Sequence, residues 1–153
     1  MSLELYDWQQ EYLNNTPQNL IITADLGSGK SALSLRHYDK HNPNGRLLIV
    51  CPASKRDSKD WEREIARFLD YTPDFAVMSY EGMAKHYADY ENDPTLTIIA
   101  DECHMLAQPT TKRSKAFLRI ARGAGQWILL SGTPTPNSWR SAATYAILTG
   151  LSR

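Results

Sequence analysis

Short apolar runs alternate along this chain with stretches that mix apolar and polar residues. The apolar runs predict buried strands over residues 19–23, 47–51, 75–79, 96–100 and 127–131. The stretches between them predict helices over residues 30–39, 57–69, 81–90 and 112–122, and a last helix from 137 or 138 to about 149. Strands that are apolar throughout and alternate with helices indicate a parallel sheet with both faces covered. The expected fold class is therefore α/β, a three-layer α/β/α domain with a mainly parallel central sheet.

Length and composition exclude several classes of protein. The chain has 153 residues, of which 42% are hydrophobic and 22% charged, as expected for a single globular domain over residues 1–153. No apolar run approaches the roughly 18 residues that cross a membrane, and the acidic N-terminus is unlike a secretory signal. Cys51 and Cys103 fit neither a metal-binding spacing nor a disulfide framework. We therefore expect a cytoplasmic protein without a membrane partner, monomeric on its own, in which Cys103 is buried without a redox role.

The charges of the chain sum to zero but are unevenly distributed. Residues 1–29 contain four acidic residues and no Lys or Arg, whereas no acidic residue follows Glu102. Seven basic residues lie in this last part: Lys112, Arg113, Lys115, Arg119, Arg122, Arg140 and Arg153. The asymmetry indicates either a basic face for a polyanion or two halves whose charges cancel after folding, and the sequence leaves both readings open.

A glycine-rich turn separates the first predicted strand from the first predicted helix. It runs from Ala24 to Ser31 and includes Gly27, Ser28, Gly29 and Lys30. Glycines in such a turn let backbone N–H groups converge on phosphate oxygens, and the N-terminus of the helix adds a favourable dipole. Lys30 can reach the β- and γ-phosphates of a nucleotide, and the Ser31 hydroxyl can ligate Mg²⁺. The turn therefore predicts a phosphate-binding loop with ATP and Mg²⁺ as cofactors.

Two adjacent carboxylates, Asp101 and Glu102, follow the fourth predicted strand directly. Asp101 is placed to hold Mg²⁺ through a water molecule, and Glu102 can orient and deprotonate the water that attacks the nucleotide. An apolar strand that ends in Asp-Glu is a weak pattern alone but a specific one after a phosphate loop. Lys30, Asp101 and Glu102 are accordingly the predicted catalytic residues, with Ser31 and Asp101 as the predicted metal-binding pair.

These motifs also carry a family resemblance. Asp101-Glu102-Cys103-His104 resembles the Asp-Glu-x-His box of superfamily 2 helicases, above all that of Swi/Snf-type remodellers and phage translocases. Other segments resemble the remaining motifs: residues 5–9 the entry motif, 48–54 with 61–64 motif Ia, 77–81 motif Ib, and 131–138 motif III. The entry motif departs from the family at Trp8, where Tyr is usual. The motifs occur in family order, so the chain resembles the N-terminal RecA-like, P-loop ATP-binding domain of this family.

The resemblance implies roles for further residues. Gln9 would hydrogen-bond the edge of the adenine. His104 would contact the motif III loop and, with Ser131 and Thr133, link the state of the nucleotide to the grip on DNA. A DNA backbone, contacted without sequence preference, would lie along Pro52, Ala53, Ser54, Ser79 and Tyr80. The strand that leads to motif III would lie between the strand of the phosphate loop and the strand of Asp101.

Some polar and aromatic residues keep a structural reading beside a functional one. Gln10 is chemically equal to Gln9 as an adenine reader. Trp61 and Trp127 are expected in the core rather than as platforms for base stacking. The basic residues after motif Ia either contact phosphate or form a solvated face; they are Lys55, Arg56 and Lys59. The histidines outside the Asp-Glu-x-His box are expected at the surface; they are His37, His41 and His86.

The motor of this family contains two RecA-like domains that bind ATP between them, and its second domain supplies the arginine fingers. This chain offers about one helix after the motif III segment, so we expect the second domain to be absent from it. The predicted function is the ATP-binding half of a DNA-dependent ATPase of helicase or translocase type. Hydrolysis would require a second RecA-like domain or a partner protein, and the chain alone would be weak or inactive.

Two other classes of function remain. The chain could be a stand-alone, non-catalytic ATP- or DNA-binding regulatory module. Alternatively, it could be a P-loop enzyme of another kind, such as a small-molecule kinase, which would leave the Asp-Glu-Cys-His and Ser-Gly-Thr-Pro segments unexplained. The presence of Lys30, Asp101 and Glu102 together favours a chain that takes part in catalysis.

Overall fold

Five parallel strands form one sheet in the computed structural model, which describes residues 19–23, 29–108 and 110–131. The strands are β1 (Leu20–Thr23), β2 (Arg46–Cys51), β3 (Phe75–Ser79), β4 (Leu96–Ala100) and β5 (Gln126–Ser131). Each predicted strand is confirmed, with bounds that agree to within one residue. The order across the sheet is β1-β5-β4-β2-β3, and every neighbouring pair is parallel.

The position of β5 confirms a topological expectation. β5 pairs with β1 on one side and with β4 on the other, as the resemblance implied for the strand that leads to motif III. Because all strands run in the same direction, the segments that follow β1, β2, β3 and β4 emerge at the same edge of the sheet. Ligands of open parallel sheets bind at this edge, beyond the carboxyl ends of the strands.

Five helices connect the strands within the described residues. They are α1 (Lys30–His41), α2 (Ala53–Asp57), α3 (Asp60–Phe68), α4 (Tyr80–His86) and α5 (Lys112–Gly123), with short 3-10 turns at Tyr87–Asp89 and Cys103–Leu106. The helix predicted over residues 57–69 is wrong at its start, because Lys59 adopts a left-handed conformation with φ of 63°. A left-handed residue interrupts a right-handed helix, and two helices result. The predicted helix near the C-terminus lies outside the described residues.

The two faces of the sheet pack against different helices. Along β2, Leu47, Ile49 and Cys51 belong to a cluster with residues of α1 and α3. Leu48 and Val50 belong to a second cluster, with residues of α4 and α5. All five side chains are fully buried, which explains why the strand is apolar at every position. The three-layer α/β/α architecture is therefore confirmed.

Buried polar side chains join the sheet to the end of α1. Thr97 on β4 donates a 2.9 Å hydrogen bond from Oγ1 to Oε1 of Gln126 on β5. Asn42, which follows α1, donates a 2.8 Å bond from Nδ2 to the same Thr97 hydroxyl. Thr97 and Gln126 are fully buried. Buried polar groups are costly unless hydrogen-bonded, so these bonds fix how the end of α1 meets the two strands.

His37 differs from its predicted surface position, since the structure buries it completely. It lies four residues after Leu33 on α1, and helical residues at this spacing share a face. Leu33 faces the sheet, so His37 does as well, and its ring packs against that of His41 with the centroids 4.4 Å apart. A histidine gives no sign of its burial when the helix around it is only weakly amphipathic.

No helix in the part of the chain that the structure describes has the length and apolarity that crossing a bilayer requires.

We predict that Thr97→Val lowers the free energy of unfolding by about 1–3 kcal/mol, because it leaves buried polar partners without their bonds while keeping the side-chain shape. The matched control is Thr72→Val, since Thr72 is exposed and surface changes are usually within about 0.5 kcal/mol. Urea unfolding followed by circular dichroism measures both variants. Equal unfolding midpoints for the two would show that the buried bonds contribute nothing.

Candidate nucleotide site

A cleft of about 550 Å³ opens at the carboxyl edge of the sheet, between the start of α1 and the segments that follow β2 and β4. Its lining brings together residues that are distant in sequence: Gly29, Lys30, Ser31, Lys55, Trp61, Asp101 and Leu130. Clefts of this size hold small-molecule ligands and cofactors. Lys30, Ser31 and Asp101, which the sequence predicts as parts of one site, thus line a common cleft.

The start of α1 has the geometry of the end of a tight turn. Gly29 has φ of 79° and ψ of 36°, the left-handed conformation that glycine adopts without steric cost. Its carbonyl accepts a 3.0 Å hydrogen bond from the Leu33 N–H, so α1 begins regularly at Lys30. Lys30 and Ser31 are both half-buried at this position. Gly27 and Ser28 lie outside the described residues.

Asp101 is held on its side chain and on its main chain. Oδ2 accepts hydrogen bonds from the Trp61 indole Nε1, at 3.0 Å, and from the Lys55 ammonium, at 3.1 Å. The Asp101 carbonyl accepts a 2.7 Å bond from the Tyr80 hydroxyl, and its N–H donates a 2.8 Å bond to Val50. The side chain is only 6% exposed. A buried carboxylate needs such donors, because burial without them carries a large desolvation penalty.

Glu102 has an unusual backbone conformation, with φ of 57° and ψ of 55°. Left-handed conformations cost non-glycine residues about 1–3 kcal/mol and concentrate at functional sites. The two carboxylate oxygens of Glu102 have different neighbours: Oε1 lies 3.4 Å from Lys55 Nζ, and Oε2 lies 3.5 Å from His104 Nδ1. The turn therefore places Glu102 between Lys55 and His104, beside Asp101.

The surroundings of this carboxylate pair shift the pKa values of nearby groups. Burial alone would lower the pKa of Lys55, but Asp101 and Glu102 outweigh burial and raise it, so Lys55 is a stable cation. Burial also raises the pKa of Tyr80 well above its ordinary value, so the Tyr80 hydroxyl remains a donor. For Cys51, burial first and Asp101 second raise the pKa to about 11.

The residues of the cleft fit a magnesium nucleotide in their chemistry. Among the described residues, no group of three or more His, Cys, Asp or Glu side chains gathers into a complete metal site. Mg²⁺ does not require one, because it commonly binds one or two carboxylates together with substrate phosphates and water. Ser31 and Asp101 supply hydroxyl and carboxylate oxygens, and Lys30 supplies a cation for the phosphates.

For four further predicted site residues, the structure describes either nothing or only part of the expected arrangement. Gln9 and Thr133 lie outside the described residues, as does the motif III loop that His104 was expected to contact. Ser131 ends β5, where its backbone is in register with Thr23. His104 is half-exposed in the 3-10 turn after Glu102. The predicted coupling role of these residues stays a prediction.

The residues predicted to lie along DNA separate into an exposed and a buried group. Ala53 and Ser54 are exposed at the start of α2, and Pro52 is half-buried beside them. Ser79 is buried and caps α4, where its Oγ accepts a 3.1 Å bond from the Gly82 N–H. Tyr80 is fully buried, with its hydroxyl bonded to Asp101. A contact between DNA and the segment of Ser79 and Tyr80 would therefore use other atoms than these side chains.

Three residues of the site were not predicted for it from the sequence. Trp61, Lys55 and Tyr80 all donate to Asp101. The spacing of Trp61 and Ile65 indicates burial on one helix face, as confirmed, but not where the indole N–H points. Lys55 stands in a basic run that looks like any solvated face. No local signal could have identified these contacts, because each joins segments more than twenty positions apart.

A second groove, of about 810 Å³, lies between α4 and α5. Apolar residues on its floor include Ala84, Tyr87 and Ala116. Five basic residues border it: Lys85, Lys112, Arg113, Lys115 and Arg119. The α5 helix contains no acidic residue, and Arg119 stacks over the ring of Tyr87 at 5.5 Å. Glu81 also lines the groove and Arg119 pairs with Glu91 at 3.8 Å, so basic residues predominate on this surface although part of their charge is paired.

The known proteins that this chain resembles are consistent with the fold and the cleft described above. Residues 13–138 match the family described as "AAA domain". A Caenorhabditis elegans homolog of the SWI/SNF-related matrix-associated actin-dependent regulator of chromatin subfamily A-like protein 1 is 31% identical over 134 residues, and the match covers 75% of this chain and 19% of that protein. Protein CHROMATIN REMODELING 19 of Arabidopsis thaliana is 24% identical over 162 residues, which cover 78% of this chain and 21% of that protein.

A solved structure shares the fold. The Sulfolobus solfataricus SWI2/SNF2 ATPase core in complex with dsDNA matches 92% of this chain and 33% of that chain, with a TM-score of 0.71 at 20% identity. The chain therefore spans about a fifth of the length of these two curated relatives and a third of the solved core. The resemblance to Swi/Snf-type ATPases that the motifs carry is confirmed.

We predict that neither cysteine reacts with iodoacetamide in the folded chain at pH 9, where an ordinary thiol is substantially ionised. Both cysteines are buried, and the pKa of Cys51 is about 11. A raised pKa also means that Cys51 stabilises the folded state below pH 9.0, and that this contribution is lost as the pH rises towards 11.

Mass spectrometry after timed alkylation counts the modified thiols. The same chain in urea, where both thiols are accessible, provides the control. Labelling of the folded and the unfolded chain at equal rates would contradict the burial.

Proposed function

This chain belongs to the AAA domain family, and we propose that it is the ATP-binding half of a DNA-dependent ATPase of Swi/Snf type. One observation carries the proposal: Lys30 and Ser31 from the start of α1 line the same cleft as Asp101 from the end of β4. A phosphate-binding cation, a hydroxyl and a buried carboxylate in one cleft are the groups that bind a magnesium nucleotide.

In this proposal Lys30, Ser31 and Asp101 of the cleft and the adjacent Glu102 have separate tasks. Lys30 would neutralise the β- and γ-phosphates, while Ser31 and Asp101 would hold Mg²⁺, which would supply charge to polarise the phosphate oxygens. Glu102 orients the attacking water and accepts its proton. The backbone at Gly27, Ser28 and Gly29 would donate to phosphate oxygens, and Gln9 would bind the adenine edge. Those tasks, like the coupling role of His104, Ser131 and Thr133, belong to the proposal.

DNA is the proposed partner of the exposed edge. The solved structure of similar fold is a complex with dsDNA, and this chain exposes Ala53 and Ser54 beside Pro52 at that edge. The basic groove is lined in part by α4. The first residues of α4 belong to the segment 77–81, which contains Ser79 and Tyr80 of the predicted DNA contacts. Lys and Arg contacts to phosphates carry no sequence information, so binding would be independent of sequence and sensitive to salt.

The proposal also includes a second component that completes the active site. We propose that a second RecA-like domain or a partner protein closes the cleft over the nucleotide and supplies the arginine finger. Arg119 and Arg122 lie on α5 and do not line the cleft. Arg63 and Arg67 on α3 do line it, but both are exposed and pair with Asp60 and Glu64. The isolated chain is proposed to be a cytoplasmic monomer that binds ATP and turns it over slowly.

We predict that Lys30→Ala weakens the binding of magnesium-ATP at least about tenfold without unfolding the domain, because it removes the cation that contacts the β- and γ-phosphates. The control is Lys40→Ala, since Lys40 is exposed in the last turn of the same helix. Isothermal titration calorimetry compares both variants with the unchanged chain. Equal affinity in Lys30→Ala and the unchanged chain would reject the assignment of the phosphate loop.

We also predict that this chain alone hydrolyses ATP slowly, with or without DNA. An arginine finger contributes about 10³–10⁵ in rate, and the proposal assigns it to a second domain or partner. The steady-state rate is measured against protein concentration, with Glu102→Gln as the background control. A DNA-stimulated rate of about 1 s⁻¹ or more, proportional to concentration, would show that the chain needs no second domain.

A further inference from the structure

Lys55 connects two sites that the proposed function keeps apart. It belongs to α2, a five-residue helix whose first residues, Ala53 and Ser54, are exposed at the edge proposed to face DNA. Its side chain extends the other way, into the nucleotide cleft, where Nζ lies 3.1 Å from Oδ2 of Asp101 and 3.4 Å from Oε1 of Glu102. A single residue of the DNA-facing segment is therefore paired with both predicted catalytic carboxylates.

The three donors to Asp101 differ in how freely they can move. Trp61 is 3% exposed and Tyr80 is fully buried, so the packing around them fixes their bonds. The Lys55 side chain is 38% exposed, and its four-carbon stem is flexible. Partly exposed ion pairs contribute little free energy, because solvent competes for both partners. Trp61 and Tyr80 thus keep Asp101 in place whether or not Lys55 remains paired.

Lys55 also pairs with an oxygen of the carboxylate that would hold the metal ion. Oδ2 of Asp101 already accepts from Trp61, and the ammonium adds a full positive charge at the same atom. A cation in this position reduces the negative potential that Asp101 and Glu102 present together. Mg²⁺ and the Lys55 ammonium therefore compete for the same carboxylate pair.

We propose that Lys55 is a positioning residue that couples DNA binding to Mg²⁺ binding by exchanging anionic partners. A DNA phosphate at the exposed side of α2 attracts the ammonium, and its departure makes Asp101 and Glu102 available to the metal. DNA and the magnesium nucleotide then strengthen each other's binding, and the coupling is reciprocal by linkage. This inference rests on the proposed function, since it assumes that the cleft binds a magnesium nucleotide.

The test measures binding instead of turnover. A fluorescent ATP analogue is bound to the full 153-residue chain while Mg²⁺ is titrated, with and without a short DNA duplex. In the unchanged chain we expect the duplex to lower the Mg²⁺ concentration at half-saturation by about fivefold or more, the usual range of such couplings. In Lys55→Met the half-saturation should be low without DNA, and the duplex should not lower it further.

Two further variants separate coupling from general effects of charge. Lys59→Met also removes one positive charge, from the turn between α2 and α3. Lys59 is exposed, however, and pairs with Glu62 at 3.7 Å instead of with Asp101. This variant should keep the full shift that DNA causes in the unchanged chain. Lys55→Gln is a second neutral variant with a polar end, and circular dichroism verifies that each variant folds. Loss of the shift in both Lys55 variants and its retention in Lys59→Met would support the proposal.

The outcomes distinguish failure of the inference from failure of the proposed function. A folded, unchanged chain that binds no analogue at any Mg²⁺ concentration overturns the proposed function, and the inference with it. Binding that depends on Mg²⁺ but shows no shift with DNA overturns the inference alone. A shift that survives in a folded Lys55→Met or Lys55→Gln variant also overturns it, because Lys55 would then be only a structural contact.

Discussion

All five strands of the described sheet run in the same direction, and the location of the candidate site depends on this constraint. Parallel strands bring the segments that follow them to one edge, so Lys30 after β1 and Asp101 after β4 reach a common cleft. The same constraint requires helices on both faces, since each connection must cross from one end of the sheet to the other. Burial of β2 and β4 on both sides is the consequence, and these strands are apolar almost throughout.

A buried carboxylate at that edge must be compensated, and the way this is done ties the site together. Lys55 of α2 and Trp61 of α3 donate to the Asp101 carboxylate, and Tyr80 of α4 donates to its main-chain carbonyl, so these bonds bring the elements after β2 and β3 against the end of β4. Two of these donors are buried and fixed, and one is partly exposed and flexible. In our proposal the two buried donors, Trp61 and Tyr80, hold Asp101 in place, and the partly exposed donor, Lys55, regulates the charge beside it. It also explains how segments proposed to face DNA lie one side chain away from the nucleotide cleft.

The elements that rest on local pattern were predictable from the sequence. Continuous apolar runs identify all five strands, and the glycine-rich turn ending at Lys30 identifies the start of α1. The break at Lys59 was missed, because a left-handed lysine has no local signature comparable to glycine. The burial of His37 was missed because it depends on which face of α1 meets the sheet. Ser79 and Tyr80 follow an apolar strand as expected, but their side chains turn inwards to cap α4 and to hold Asp101.

The sequence by itself determined the fold class and the strands, and it predicted Lys30, Ser31, Asp101 and Glu102 as site residues, since each of these inferences depends on residue type and neighbours along the chain. The tertiary structure decided which side chains support that chemistry. Lys55 and Trp61 lie 46 and 40 positions from Asp101, and their bonds exist only because β2 and β4 pair in a particular register. A lysine in a polar run and a tryptophan on an amphipathic helix look alike whether they face solvent, core or a carboxylate. The direction of a side chain follows from the packing of whole elements, which one-dimensional pattern does not encode.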